Sequence, residues 1–143
     1  MSEGTYEFLE HTSDAYVVAR GRDLEGAFAA AARAMCDIIT DSTKVRPVKR
    51  VKIKVAADDL KSLLYNWLES LIVKFEVDGM VFSRHSLRIG RRDGGYALRA
   101  ISEGEKFDPA VHPRGTSIKA VTYHGMEIAR GEDTSEVRVL FDI

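Results

Sequence analysis

Cysteine, proline and net charge are all scarce in this 143-residue chain, which has one Cys, three Pro and a formal charge of −1. A lone thiol, Cys36, closes no disulfide within the chain and supplies no Cys-rich zinc site. It sits in the apolar run Ala-Met-Cys-Asp-Ile-Ile, where we expect it to pack as a small hydrophobe. The balanced charge excludes the overall basic field that drives non-specific binding to nucleic acid. No apolar run reaches the roughly 20 residues a membrane helix needs, and no signal-peptide pattern is visible. A cytoplasmic protein with no membrane contact is therefore expected. His-Glu-x-x-His is missing, and so is a Gly-rich phosphate loop, because Gly90, Gly94 and Gly95 bracket a hairpin rather than a strand-to-helix turn. No linker, repeat or low-complexity tract divides the chain, and we expect a single domain over residues 1–143.

What is there suffices for a core. A chain of this length buries roughly two-thirds of the surface it would expose unfolded. It needs no metal to hold it together, so a metal site would be functional rather than a staple. Tyr6 to Leu9 and Ala15 to Arg20 read as strands around the polar turn His11-Thr12-Ser13-Asp14. Leu24, Ala27, Phe28, Ala31, Met35 and Ile38 then recur at helical steps, with Asp23 as N-cap, and the helix ends before Thr40. Lys49 to Ala56 alternates like a strand, and Arg50, Lys52 and Lys54 read as its solvated, basic face, with an RNA-touching patch as the other reading. Asp58 or Asp59 caps a second helix. Its wide stripe from Leu60 to Phe75, with Trp67 inside it, suggests the main core contact. It exits at Asp78-Gly79.

The rest is strand and turn. Met80 to Ile89 and Tyr96 to Ser102 flank a hairpin signal at Arg92-Asp93-Gly94-Gly95. After a polar loop with His112, strands are expected at Ser117 to Tyr123, Glu127 to Arg130 and Val137 to Ile143. Two helices among several strands, without regular β-α-β alternation, indicate an α+β fold, a mostly antiparallel sheet packed with two amphipathic helices.

Three segments could carry chemistry: His11-Thr12-Ser13-Asp14, Thr122-Tyr123-His124-Gly125, and Phe141-Asp142-Ile143. Apolar Leu140, Phe141 and Ile143 would dock the last strand and hold the Ile143 α-carboxylate in place beside Asp142. If Asp14 lies nearby, three negative groups converge, and a cation would offset their repulsion. Oxygen ligands favour calcium, magnesium or manganese over zinc. By themselves, Asp14 is an ordinary turn former and Asp142 an ordinary solvated acid.

Several ordered stretches resemble the archease family. They are Tyr-Glu-Phe-Leu-Glu-His-Thr-Ser-Asp at 6–14, Leu-Glu-Gly-Ala-Phe-Ala-Ala-Ala-Ala-Arg-Ala-Met at 24–35 and Leu-Leu-Tyr-Asn-Trp-Leu-Glu-Ser-Leu at 63–71. Gly-Glu at 104–105, His112-Pro113, Ile-Lys-Ala-Val-Thr-Tyr-His-Gly at 118–125 and the closing Phe-Asp-Ile complete the resemblance, which covers about residues 5–143. It implies a non-enzymatic cofactor of the tRNA-splicing RNA ligase, which joins a 3′-phosphate or 2′,3′-cyclic phosphate end to a 5′-hydroxyl. The cofactor would promote ligase guanylylation and multiple turnover. It also implies a metal site of Asp14, Asp142 and Ile143, with calcium the first choice of divalent cation and magnesium or manganese the others. The ligase is the expected partner, and tRNA is expected to be reached through it. Lys119 would touch a phosphate or an acidic ligase surface, and His124 would order its turn. One departure stands out: Ala15-Tyr16 follows Asp14 where the family often has an aliphatic residue and Gly. Two other readings remain, a general RNA-processing chaperone and a stand-alone metal-dependent phosphoesterase.

Overall fold

The computed structural model describes residues 4–9 and 14–143. His11, Thr12 and Ser13 of the first polar turn lie outside the described residues. Seven strands form two antiparallel sheets rather than one. The first contains β1 (Gly4–Leu9), β2 (Asp14–Gly21), β7 (Ser135–Asp142) and β6 (Ala120–Arg130), in that order. The second is β3 (Lys49–Ala57), β5 (Gly95–Lys106) and β4 (Met80–Arg92). Helix α1 (Leu24–Ile39) packs on β1, β2 and β7 of the first sheet and on β4 of the second, and α2 (Leu60–Asp78) packs on β6 and on β3. The two helices thus lie between the sheets, and apolar strand faces close over them.

Local chemistry sets most boundaries. Asp23 accepts the Gly26 N–H (2.7 Å) and Asp59, not Asp58, accepts the Ser62 N–H (2.7 Å), which satisfies orphan donors at each helix start. Gly79 closes α2 in the left-handed region (φ 68°), where a side chain would be strained. The β4–β5 hairpin turns on Asp93 (φ 51°) and Gly94 (φ 80°). Positive φ at both central residues is the tight two-residue turn that matches strand twist.

Helix α2 is not the main core contact. Helix α1 is the more enclosed of the two, burying twelve of its 16 residues against six of 19 for α2. Its alanines are small enough for strands to approach on several sides, so it can be buried nearly all round. Trp67 anchors α2 to it by donating its indole N–H to the Phe28 carbonyl (3.1 Å). Cys36 is buried in this core, and burial pushes its thiol up to about 12, which leaves it unreactive.

The strands expected at Ser117 to Tyr123 and Glu127 to Arg130 are one strand, β6. The register jumps between Thr122 and Glu127, so residues 123–126 stand opposite the single residue Val139. Such a bulge bends a strand without ending it. Ser117 to Lys119 precede β6, and Ile143 follows the last residue of β7.

Candidate functional site

The β2–β7 ladder starts with Asp14 directly opposite Asp142. Ala15, Val17 and Ala19, with Val137, Val139 and Phe141, pack into the core. The alternation of a strand therefore sends both aspartates to the outer face of the sheet. Residues paired in this way have Cβ atoms about 5 Å apart, and like charges so placed repel. Both aspartates are half-buried. Asp142 is also opposite Ala120 of β6, and its carbonyl accepts the Lys119 N–H (2.7 Å). The Ile143 side chain packs against the core, which ties down the main chain just beyond Asp142.

Two facing carboxylates can share a hard cation such as calcium, magnesium or manganese. Among the described residues no three His, Cys, Asp or Glu side chains converge on one point. Main-chain oxygens, with the Ile143 carboxylate the nearest in sequence, and water would have to complete a coordination shell. Oxygen donors of this kind suit a hard divalent cation.

Tyr16, the departure noted above, has a defined place. It shares the outer face with Asp14 and lies opposite Leu140. Its hydroxyl donates to the Gly125 carbonyl (2.6 Å) on β6, so the side chain spans β7, the strand between. Leu140, like Val18, is buried although it lies on this outer face. Gly125 (φ 69°) lies against the tyrosine ring, and a Cβ there would come within 3.3 Å of the hydroxyl oxygen. Tyr16 thus clamps the β6 bulge instead of crowding it. Within that bulge His124 is exposed, while Tyr123 stacks on Tyr65 of α2 (4.7 Å between centroids). Lys119 is exposed beside Asp142.

Sequence reasoning quoted Glu105 and His112 without assigning either a task. The Glu105 carboxylate accepts the Arg46 N–H (2.8 Å), the Arg46 guanidinium (3.2 Å) and His112 Nε2 (2.9 Å). His112 is 1 % exposed, and its Nδ1 accepts the Asp108 N–H (2.8 Å), which puts the ring proton on Nε2, facing Glu105. The Arg46 backbone N–H, then His112 and the Arg46 side chain, hold the Glu105 carboxyl down at about 2. This cluster fixes the loop from 107 to 119. The same loop caps α1: Gly115 and Thr116 donate N–H groups to the Ile39 and Ile38 carbonyls, and Thr40 donates its hydroxyl to Pro113. By ordering the approach to β6 it also seats Lys119 against Asp142. The signal was available in the pairing of a glutamate and a histidine across one polar loop, but nothing local says that they meet.

A second buried histidine lies on β4 of the other sheet. His85 is directly opposite Ser102 on β5, with Nδ1 2.8 Å from the serine hydroxyl and its ring edge-on to Trp67. Burial pushes its imidazole down to about 3, so it is neutral.

Comparison with known proteins was consistent across sequence and structure. The sequence profile of the archease protein family matches residues 6–143. Protein archease of Sulfolobus acidocaldarius is 38% identical over 138 residues, covering 96% of this chain and 98% of that one. Protein archease of Pyrococcus furiosus is 41% identical over 128 residues, 90% of each chain. The solution structure of protein 1598 of Methanobacterium thermoautotrophicum superposes with a TM-score of 0.84 at 34% identity, over 96% of this chain and 98% of that one. A Thermotoga maritima archease described as a possible chaperone shares the fold, with a TM-score of 0.59 at 20% identity over 96% of each chain.

Proposed function

The chain belongs to the archease family, and from that premise we propose that it is an accessory activator of the RNA ligase of tRNA splicing. It would promote guanylylation of the ligase and multiple rounds of joining 3′-phosphate to 5′-hydroxyl ends, in the cytoplasm, without itself being an enzyme. The observation that carries the reading is the cross-strand pairing of Asp14 with Asp142 at the end of the central ladder of the four-stranded sheet.

In this reading Asp14, Asp142 and the Ile143 carboxylate hold a divalent cation, calcium first and magnesium or manganese next. Such a cation would neutralise the acidic cluster and offer open coordination positions to a phosphate or to the ligase. The protein's own residues do the rest. The β2–β7 ladder holds the two carboxylates at fixed separation, the Tyr16 clamp and the Glu105–His112 cluster fix the strand and loop beside them, and Lys119 adds a cation at the rim. Activation requires that this surface bind the guanylylation-competent ligase more tightly than the resting one, because a partner shifts an equilibrium only through differential affinity.

The test is multiple-turnover ligation by the matching ligase on an RNA pair with 3′-phosphate and 5′-hydroxyl ends. Protein at substoichiometric level should raise turnover, and Asp14→Ala or Asp142→Ala should remove the increase. A second reading, general chaperone action, comes from the description of the Thermotoga relative. It predicts suppression of client aggregation that does not depend on either aspartate and no effect on ligation.

A further inference from the structure

We propose that the outer face of the three-stranded sheet binds the phosphate backbone of RNA directly. The registers of β3, β5 and β4 assemble a surface that no single segment reveals. Lys54 is opposite Arg99, and Arg99 is opposite Arg88, so three cations share one rung. Two rungs away, Arg50 and Arg84 flank Glu103, and Lys52 lies on the rung between. All six cations are exposed, and none forms an ion pair among the described residues. Glu103 is the one acid on these three rungs. The inner side of the same strands, with Ile53, Leu87, Leu98 and Ala100, is core.

Adjacent strands lie about 4.8 Å apart, so the Lys54–Arg99–Arg88 row is about 10 Å wide, and equivalent rows repeat about every 7 Å along the strands. Like charges directly opposite one another destabilise a sheet. A polyanion laid across the rows would relieve that repulsion and release its own counterions. Acidic protein surfaces offer less dense charge than a phosphate backbone, so the backbone is the better complement. The three rungs carry no aromatic or amide side chain to stack on or read a base, and contact would be independent of sequence. The net charge of −1 hides this surface because the rest of the chain is acidic. Direct contact of this kind departs from the expectation that tRNA is reached through the ligase. The choice of RNA over DNA rests on the ligase reading above, whereas the phosphate chemistry does not.

Fluorescence anisotropy of a labelled RNA stem-loop, titrated with the protein alone between about 50 and 200 mM KCl, tests the proposal without any ligase. Wild type should bind with an apparent affinity that falls steeply with salt, a log–log slope of about −4 to −5. Combined Lys54→Gln, Arg88→Gln and Arg99→Gln should weaken binding at least tenfold at low salt and make the slope shallower by about 2 to 3. Circular dichroism should show the variant folded. The same number of neutralisations elsewhere, Lys61→Gln, Lys74→Gln and Arg114→Gln, should change little. Three results would overturn the proposal: no binding by wild type, equal binding by the two triple variants, or an unchanged salt slope. None of the three bears on whether Asp14 and Asp142 activate the ligase.

Discussion

On one rung of the four-stranded sheet two aspartates face each other, and on one rung of the three-stranded sheet three cations do. Both arrangements put like charges side by side, at some cost to stability. They differ in what could relieve that cost. The aspartates sit at the end of a ladder, half-buried, with Asp142 paired to Ala120 of β6 on its other side, so the relieving charge must be small and fit one place. The cations are exposed and spread over three strands, so the relieving charge can be extended and mobile. A point site and a field therefore occupy the outer faces of the two sheets, with the same helical core between them.

The largest effect that would break this comparison is loss of the point site. Asp14→Ala and Asp142→Ala should each reduce ligase stimulation at least tenfold. Asp142→Ala should not lower stability in the absence of cation, since it removes a repulsion. With calcium at about 100 times its dissociation constant, wild type should gain about 2.7 kcal/mol in thermal or denaturant unfolding, and the variants close to nothing. One glycine added after Ile143 moves the α-carboxylate, and most of the calcium stabilisation should go with it. Equal stabilisation with and without the extra glycine would remove Ile143 from the ligand set.

Support for the point site comes next. Glu105→Ala leaves His112 and the Arg46 N–H unpartnered and should cost about 2–3 kcal/mol in urea unfolding. Glu105 has its folded-state pKa depressed to about 2, below an unfolded value near 4.5. Its contribution is therefore present above about pH 4.5 and lost as pH falls toward 2. His85 acts over a different window. Its folded pKa, about 3, also lies below its unfolded value of about 6.5, so the unfolded chain takes up a proton that the folded chain refuses. Stability should decline as pH falls below about 6.5, and His85→Leu should flatten the decline between pH 6.5 and 4.5. An unchanged slope would mean that His85 is not the group responsible.

Stability changes on the basic field should be the smallest. Neutralising Lys54, Arg88 and Arg99 together should leave unfolding free energy unchanged or raise it by less than about 1 kcal/mol, because it removes only repulsion. A clear loss of stability would mean that these side chains hold the sheet, and the surface would lose its contrast with the aspartate pair.

What the sequence disclosed follows the range of the forces involved. Asp23, Gly79 and Asp93-Gly94 act on their own backbone, so helix starts, a helix end and the hairpin were legible. Apolar spacing placed the helices but misjudged their ranks, since alanine burial depends on how closely other elements approach α1. The break between two expected strands was a bulge, held from outside by Tyr16 across β7. Of the expected metal ligands, Asp14 and Asp142 are brought into register by a pairing 128 positions apart in the chain. Residue chemistry raised their convergence only as a condition, because no local pattern brings them together, and the family resemblance implied that they share a site. The Glu105–His112 cluster and the Lys54–Arg99–Arg88 row depend on tertiary pairing in the same way, and no local pattern announces either.

Formation of the ligase–guanylate adduct tests the central claim most directly. Purified ligase, radiolabelled GTP and manganese are mixed with wild-type protein, with Asp14→Ala or with Asp142→Ala, and covalent label on the ligase is followed over time. The account predicts faster or more complete labelling with wild type and the unassisted rate with either variant. Equal labelling by wild type and both variants, all folded, would contradict it.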